Sequence, residues 1–214
     1  MGHGSVSRFC MSPLLKPVRN VFCRVLVWKL ANPRLLVAFA LAALGCGVES
    51  PPNAFLSAVT RNDLRTVESL LNQGAVDVNY RTPGIGDNAL GNASSQNEVE
   101  MAMLLLRRGA DPNIATEENF TPLLSAAYHG HTEMVRLLIR AGANVNAAET
   151  RYGFTPLASA AQYGHAETVE LLLDAGADPT VRVKNGMTAM RLARDHGRTD
   201  VVKILMADRP RSTP

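Results

Sequence analysis

The sequence of 214 residues has only three cysteines and no apolar run long enough to cross a membrane. Cys10, Cys23 and Cys46 all lie in the first 46 residues, so no disulfide can stabilise the rest of the chain. The longest apolar run, residues 35–45, has 11 residues, whereas a membrane-spanning helix needs about 20. The body of the protein must therefore be stable through side-chain packing alone.

The chain also lacks a basic surface outside its N-terminal segment. Its formal charge is +3, but residues 1–45 contain six Lys/Arg and no Asp or Glu. From Cys46 onward, 16 Lys/Arg stand against 19 Asp/Glu, which gives a net charge of −3. A slightly acidic body has no general attraction for a polyanion, so we expect no nucleic-acid partner.

Residue patterns that indicate catalysis are missing from the body as well. It has no cysteine nucleophile after Cys46 and no serine in a Gly-x-Ser-x-Gly elbow. The glycines at 84–86 are not placed between a strand and a phosphate-binding helix, so they indicate a hairpin tip. His129 and His131 flank a helix-ending glycine and should not converge on one ion. We expect no catalytic residue, no metal site and no cofactor.

The N-terminal segment has the order of a secretory signal, with a basic lead at 1–34, an apolar stretch at 35–45 and then Cys46. Residues 42–46, Ala-Ala-Leu-Gly-Cys, resemble a bacterial lipobox. In that family the cysteine receives diacylglycerol, and the absence of Asp at position 47 favours the outer membrane. The resemblance predicts lipidation of Cys46 and a lipoprotein that faces the periplasm, since several acyl chains suffice for stable anchoring.

Three other fates of this segment stay open. Cleavage near Ala43 would release a soluble exported protein, and an uncleaved segment would act as an inner-membrane anchor. If the start codon is wrongly assigned, the chain could instead be cytoplasmic. A true start at Met11 would shorten the long basic lead. On the favoured reading, residues 46–53 are a linker, and the polar residues 208–214 are a disordered tail.

The body consists of one sequence unit that is repeated several times. Residues 120–146 and 154–180 are identical at 16 of 27 aligned positions. A small alanine recurs at spacings of 35, 33, 34 and 33, at Ala58, Ala93, Ala126, Ala160 and Ala193. A fixed period near 33 indicates a stacked array. We predict five units within 54–207, at about 54–80, 81–114, 115–147, 148–181 and 182–207.

Each unit has the signals of two short helices followed by an extended loop. Thr121 and Thr155 can cap the first helix through their hydroxyls, with proline at the next position. Residues that tolerate left-handed backbone should end the first helix: Gly130, Gly164, Gly197, Asn62 and Asn97. Leucines at helical spacing form the core face of the second helix. Such units are stabilised by stacking on their neighbours.

Two Thr-Pro-Leu motifs, at 121–123 and 155–157, and the repeated Gly-Ala-Asp/Asn turn resemble the ankyrin repeat family over about 54–207. The motif is degraded at 88–90 and 188–190. The resemblance implies an all-α solenoid of about five stacked helix-turn-helix units with β-hairpin-like loops. It also implies that His131 and His165 support the turn between helices. Polar first and last units complete the array at five, and we expect a monomer.

The resemblance further implies that a protein partner binds a concave surface made from loop tips and first helices. Five of the seven aromatic residues of the body occupy free positions there, in units 3 and 4. The candidate partner-binding residues are Phe120, Tyr128, Arg151, Tyr152, Phe154, Gln162, Tyr163, Lys184 and Met187. We expect Tyr128, Tyr152, Phe154 and Tyr163 to lie together with little core contact. The alternative is that phenylalanine before Thr-Pro only covers a neighbouring loop.

These features predict a non-catalytic protein-protein interaction module in the cell envelope. One alternative is an accessory protein that stabilises a periplasmic enzyme. A second is a soluble cytoplasmic adaptor, if the N-terminal segment is not a signal. A third, a small hydrolase or ligand carrier, would require a polar cluster that the sequence does not reveal.

Overall fold

The computed structural model describes residues 50–207, so the signal segment, Cys46 and the tail at 208–214 lie outside the described residues. Ten α-helices, and no strand, are found in the described part. They are α1 (Pro51–Thr60), α2 (Leu64–Asn72), α3 (Ala89–Ser95), α4 (Val99–Arg107), α5 (Pro122–His129), α6 (Thr132–Arg140), α7 (Pro156–Tyr163), α8 (Ala166–Asp174), α9 (Ala189–Asp195) and α10 (Thr199–Met206). The predicted all-α repeat solenoid is confirmed.

Side-chain caps start the first helices of units 2 to 5. The hydroxyls of Thr121 and Thr155 each accept a hydrogen bond from the amide three residues later, as predicted. Asn88 and Thr188 make the same bond at the start of α3 and α9. The degraded motifs therefore keep the capping side chain, because an oxygen at this position satisfies a helix amide that would otherwise lack a partner.

Left-handed residues end the first helices, which confirms the prediction for all five positions. The φ angles are 54° at Asn62, 59° at Asn97, 74° at Gly130, 87° at Gly164 and 69° at Gly197. Only glycine, and to a lesser extent asparagine, adopts this backbone at low cost. The chain reverses there, and the second helix of the unit starts two residues later.

The core is one continuous layer that runs through all five units. First helices of neighbouring units pack on one another, α5 on α3 and α7, and second helices do the same in a parallel row. The predicted alanine column lies at the first-helix contacts and is buried: Ala58, Ala93, Ala126, Ala160 and Ala193. Leucines of both helix rows fill the space between them: Leu90, Leu105, Leu123, Leu138, Leu157 and Leu172. Small side chains in one row allow close helix approach while large ones seal the layer.

The first helix starts earlier than the sequence indicated. Residues 51–53, assigned to the linker, form the first turn of α1, which begins at Pro51. Proline is well suited to this position because its missing amide has no helical partner there. Phe55 and Ala58 of this helix are fully buried and attach the first turn to the core.

The loops between units form hairpin-like projections, here called fingers, at about 81–88, 115–121, 148–155 and 182–188. Isolated antiparallel bridges close the second and fifth units' fingers, at Arg81–Asn88 and Arg182–Thr188. One backbone hydrogen bond joins each finger to the next: Glu117 to Ile85 at 3.2 Å, Thr150 to Glu118 at 2.8 Å and Lys184 to Tyr152 at 2.8 Å. The fingers therefore hold one another in register along the stack.

Asparagine side chains at the base of the fingers link successive units, a role that the sequence analysis did not assign. Asn113 donates a hydrogen bond to the carbonyl of Gly142 at 3.2 Å and accepts one from the amide of Asn144 at 2.7 Å. Asn79 and Asn146 make the equivalent pairs of bonds to the following units. An amide side chain suits this position because it can donate and accept at once.

Gly130 is expected to be needed for two reasons, and Gly197 for only one. A methyl group at Gly130 would overlap the imidazole of His165 from the next unit, whereas the same position at Gly197 has no atom within 4 Å. Left-handed backbone alone costs a non-glycine residue about 1–2 kcal/mol. Gly130→Ala should therefore lower the free energy of unfolding more than Gly197→Ala does.

Urea unfolding followed by circular dichroism measures this difference. Gly142→Ala serves as a second control within the stack, since Gly142 has φ 90° and no atom within 4 Å of a substituent. Equal losses in Gly130→Ala and Gly142→Ala would show that the contact with His165 is unimportant.

Candidate protein-binding surface

Five aromatic rings follow one another across units 3 and 4. The rings of Tyr128 and Tyr163 lie 4.5 Å apart between centroids, and their hydroxyls are 3.2 Å apart. His129 is 4.9 Å from Tyr128, His131 is stacked 5.4 Å from His129, and His165 is 6.4 Å from Tyr163. These five residues are called the ring row. It lies at the ends of α5 and α7, and such offset and edge contacts stabilise the arrangement of the rings.

The two tyrosines of the ring row remain open to solvent. Tyr128 is 38% exposed and Tyr163 39% exposed, although each covers part of the other. The hydrogen bond to Tyr128, followed by burial, raises the pKa of Tyr163 above its usual value. The phenol of Tyr163 therefore stays neutral near pH 7, and both tyrosines can offer a ring face together with a polar hydroxyl to a partner.

The two histidines at the ends of the ring row connect units. His131 Nε2 lies 3.2 Å from the carbonyl of Ser95, and His165 Nε2 lies 3.0 Å from the carbonyl of Tyr128. Because a carbonyl can only accept, Nε2 carries the proton in both rings. The resemblance implied only that these histidines support the turn between the helices of their own unit. Their hydrogen bonds also reach the preceding unit and so connect the two units. Arg198 replaces histidine in unit 5 and donates to the carbonyl of Gln162.

The stack should lose stability on mild acidification through His131. Burial lowers the pKa of His131, nearby His129 and His165 lower it further, and the bond to Ser95 only partly offsets them. Below the unfolded pKa of about 6.5, the unfolded chain therefore binds more protons at this position than the folded chain does. The stability that neutral His131 contributes is fully present above the unfolded pKa. It is lost as the pH falls through the lowered pKa of the folded state.

Melting temperatures at about pH 7.5 and about pH 5 test this linkage. His131→Gln is the matched variant, because its amide can still donate to the Ser95 carbonyl and does not titrate. We expect a smaller fall in melting temperature for the variant than for the natural chain. Equal falls would contradict the assignment.

The finger of unit 4 is held by a buried carboxylate. Glu149 is 7% exposed, and its oxygens accept from the amides of Arg151 at 2.5 Å, Tyr152 at 2.6 Å and Phe154 at 3.1 Å. The Arg151 guanidinium lies 5.1 Å from the centroid of the Tyr152 ring, and Tyr152 is 55% exposed. Glu149 therefore orders the tip that presents both side chains. The sequence analysis did not single out Glu149. In the preceding finger Thr116 has the corresponding role, since its hydroxyl accepts from the amide of Phe120 at 3.1 Å.

Phe154 does not lie free beside the tyrosines, contrary to the expectation. Together with Met187 it packs against a small buried cluster of Ala158, Val183 and Leu192. The alternative interpretation, that phenylalanine before Thr-Pro covers a neighbouring loop, describes its position. The reason is that the finger of unit 5 passes directly over this side chain, so burial is gained between units.

The remaining candidate residues have different surroundings. Lys184 is exposed next to Tyr152, to which its backbone is bonded. Gln162 is half-buried. Among the buried side-chain nitrogen and oxygen atoms of residues 50–207, its Oε1 alone has no hydrogen-bond partner. Phe120 lies in the finger of unit 3 and lines a groove on the side that faces unit 2. The structure thus groups Tyr128 with Tyr163, and Arg151 with Tyr152 and Lys184.

The groove lies between units 2 and 3 and has a volume of about 260 Å³. Its walls combine two rings, one carboxylate and several small polar groups: Asp87, Asn88, Gly91, Asn92, Ser95, Thr116, Phe120, Thr121, Ser125 and His129. Counting back from the helix-ending residue, Ser95 corresponds to Tyr128 and His129 to Tyr163. The groove is therefore the place that the tyrosine pair fills between units 3 and 4. The sequence analysis did not predict it.

Within 50–207, no group of three or more His, Cys, Asp or Glu side chains is placed to hold a metal ion. In the same range, no helix combines the length and apolar character needed to cross a membrane.

Comparison with known families agrees with this architecture. The family model described as "Ankyrin repeats (3 copies)" matches residues 55–149, 90–183 and 149–212, which together cover most of the chain. The chain belongs to the ankyrin repeat family. Ankyrin repeats are interaction modules, generally without catalytic activity, so this chain carries a protein-protein interaction module.

The chain matches parts of several much longer proteins. The chain is 38% identical over 97 residues to "Ankyrin repeat and KH domain-containing protein mask" of Drosophila melanogaster, which covers 44% of this chain and 2% of that protein. It is 46% identical over 57 residues to "Cortactin-binding protein 2" of Oryctolagus cuniculus, covering 27% of this chain and 3% of that protein. The chain thus spans a small fraction of the length of these relatives.

Proposed function

We propose that this ankyrin chain is an adaptor of the bacterial cell envelope, binding a protein partner on its finger face. The finger face comprises the exposed residues of the fingers and of the last turns of α3, α5, α7 and α9. One observation carries the proposal: Tyr128, Tyr163 and Tyr152 are exposed on adjacent units, with Arg151 over the Tyr152 ring. Tyrosine and arginine are enriched among residues that dominate protein-protein binding energies.

The charge distribution supports a partner that lies along the stack in one direction. Residues 115–130 carry two acids, Glu117 and Glu118, and no Lys or Arg. Residues 182–197 carry four Lys/Arg and one acid, a net charge of +3. A surface that changes sign along its length orients a charged partner and raises its association rate.

The location in the envelope rests on the sequence preceding the fold. A basic lead, an 11-residue apolar stretch and Cys46 stand in the order of a lipoprotein signal. Lipidation at Cys46 would place the repeats next to a membrane, and the outer membrane facing the periplasm is favoured. A partner in the same compartment would then be held close to that membrane.

Fractionation after cross-linking tests location and binding together. A photoreactive amino acid replaces Tyr163 in the natural chain and in Cys46→Ser, and a matched pair carries it at Met206, an exposed residue of the last helix. We expect the natural chain in the membrane pellet and Cys46→Ser in the soluble periplasm. Both should give one discrete cross-linked protein from position 163 and none from position 206.

Each part of the proposal has its own contrary result. Cys46→Ser that stays in the pellet would reject the lipid anchor, and a natural chain in the cytoplasmic fraction would reject the envelope location. Equal cross-linking from positions 163 and 206 would reject the finger face as the binding surface.

A further inference from the structure

We infer that the groove between units 2 and 3 binds an arginine side chain of the protein partner. The inference rests on the proposed function and adds the chemistry of one contact. The groove volume of about 260 Å³ lies below the roughly 300–1,000 Å³ of small-molecule pockets. It therefore suits a single side chain presented by a polypeptide.

The groove contains a carboxylate that forms no ion pair within residues 50–207. Asp87 is half-buried in its wall, and no Lys, Arg or His within residues 50–207 forms an ion pair with it. The backbone of Asp87 is fixed by paired bonds with Thr82. A carboxylate held in a recess and left without a counter-charge attracts a cation, and partial burial strengthens that attraction.

Acceptors face the groove from its histidine as well. His129 Nδ1 lies 2.9 Å from the carbonyl of Ser125 and donates to it, so Nε2 is the ring nitrogen that this bond leaves available. Ser, Thr and Asn oxygens of the wall add further acceptors. A guanidinium has five donors and no acceptor, so its hydrogen-bonding needs match this wall.

The two rings of the wall favour arginine over lysine. Phe120 lies in the finger of unit 3 and His129 is the last residue of α5, and both side chains line the groove. A planar guanidinium stacks on ring faces while its aliphatic stem packs against apolar surface. The ammonium of lysine is more strongly hydrated and cannot form the two-pronged contact with a carboxylate. Glu118 of the next finger adds long-range attraction for a cation, whereas Glu117 is paired with Arg81 at 3.8 Å.

The repeat itself supplies a variant that closes the groove. Ser95 corresponds to Tyr128, the residue that fills the same place between units 3 and 4, so Ser95→Tyr inserts a side chain that this fold already accommodates. The backbone carbonyl that His131 uses at Ser95 is unchanged by the substitution. Met206→Tyr is the control, because it adds a tyrosine at an exposed position of the last helix, outside both the groove and the finger face.

The test is a titration of the full chain with capped pentapeptides, followed by ¹H–¹⁵N NMR. The probes are acetyl-Ala-Ala-X-Ala-Ala-amide with X as Arg, Lys or Glu. We expect saturable shifts of the Gly91 and Ser95 amides with the Arg peptide, at least about tenfold weaker binding of the Lys peptide, and no saturation with Glu. Asp87→Asn should weaken the Arg peptide by about tenfold or more, as the loss of a charge-assisted contact of about 1.4 kcal/mol predicts.

Ser95→Tyr should abolish binding of the Arg peptide, and Met206→Tyr should leave it unchanged. Spectra of each variant without peptide establish that the fold is intact. Equal binding of Arg and Glu peptides, equal binding of Arg and Lys peptides, or unchanged binding in Asp87→Asn would overturn the inference. If the Arg peptide does not bind but cross-linking remains specific to position 163, only the inference about the groove is rejected. If the Arg peptide binds but cross-linking from position 163 is lost, only the proposed function is rejected.

Discussion

Leu138→Ala is expected to lower the free energy of unfolding by about 2–5 kcal/mol, the range for removing a buried leucine side chain. Leu138 is fully buried in α6, which packs between α4 and α8. The cavity would thus open where the third unit contacts both neighbours. Because stability in a repeat array comes largely from these interfaces, the loss should reach the units on either side.

Urea unfolding followed by circular dichroism measures the loss. Leu137→Ala is the matched control, since it is the preceding residue of the same helix, loses the same atoms and is only half-buried. Ile85→Ala, at a position 64% exposed, should change stability by less than about 0.5 kcal/mol. If Leu137→Ala cost as much as Leu138→Ala, the assigned position of Leu138 at the centre of the core would be wrong.

Tyr152→Ala with Tyr163→Ala is expected to abolish capture of the protein partner while leaving the fold nearly intact. A well-packed hot-spot aromatic loses about 2 kcal/mol or more of binding free energy when cut to alanine. Each substitution therefore weakens binding about 30-fold, and both together weaken it about 1,000-fold if the two residues act independently. Tyr152 is 55% and Tyr163 39% exposed, so little core packing is lost.

Capture of the cross-linked protein from solubilised membranes, with helix content and melting temperature measured on the same samples, tests this expectation. Met206→Ala is the control for an exposed apolar residue away from the finger face. Phe154→Ala should behave in the opposite way and lower the melting temperature, because Phe154 packs on the cluster of Ala158, Val183 and Leu192. The binding assignment would be rejected if the double variant unfolded the stack or still captured the partner.

The sequence predicted the repeat frame because its signals start and end the helices of a single unit. A capping threonine and a left-handed glycine act on the backbone within a few residues of themselves, as Thr121 and Gly197 do. Copies of a unit preserve these local relations, so the period and the motifs are enough to place the helices. Even degraded motifs obeyed the frame, since Asn88 caps α3 in place of threonine.

The surroundings of the candidate residues depended on contacts between units, about 33 residues apart, which no local pattern encodes. Tyr128 meets Tyr163, and Phe154 is covered by the finger of unit 5, because stacking offsets each unit against the next. The same offset places Ser95 opposite His129 and leaves a groove. Glu149 was missed for a different reason: its three partner amides are close in the chain, but they converge on the carboxylate only after the finger has folded. The sequence alone thus determined the units and their number, while the tertiary structure decided which exposed side chains lie side by side, because that depends on how rigid units pack.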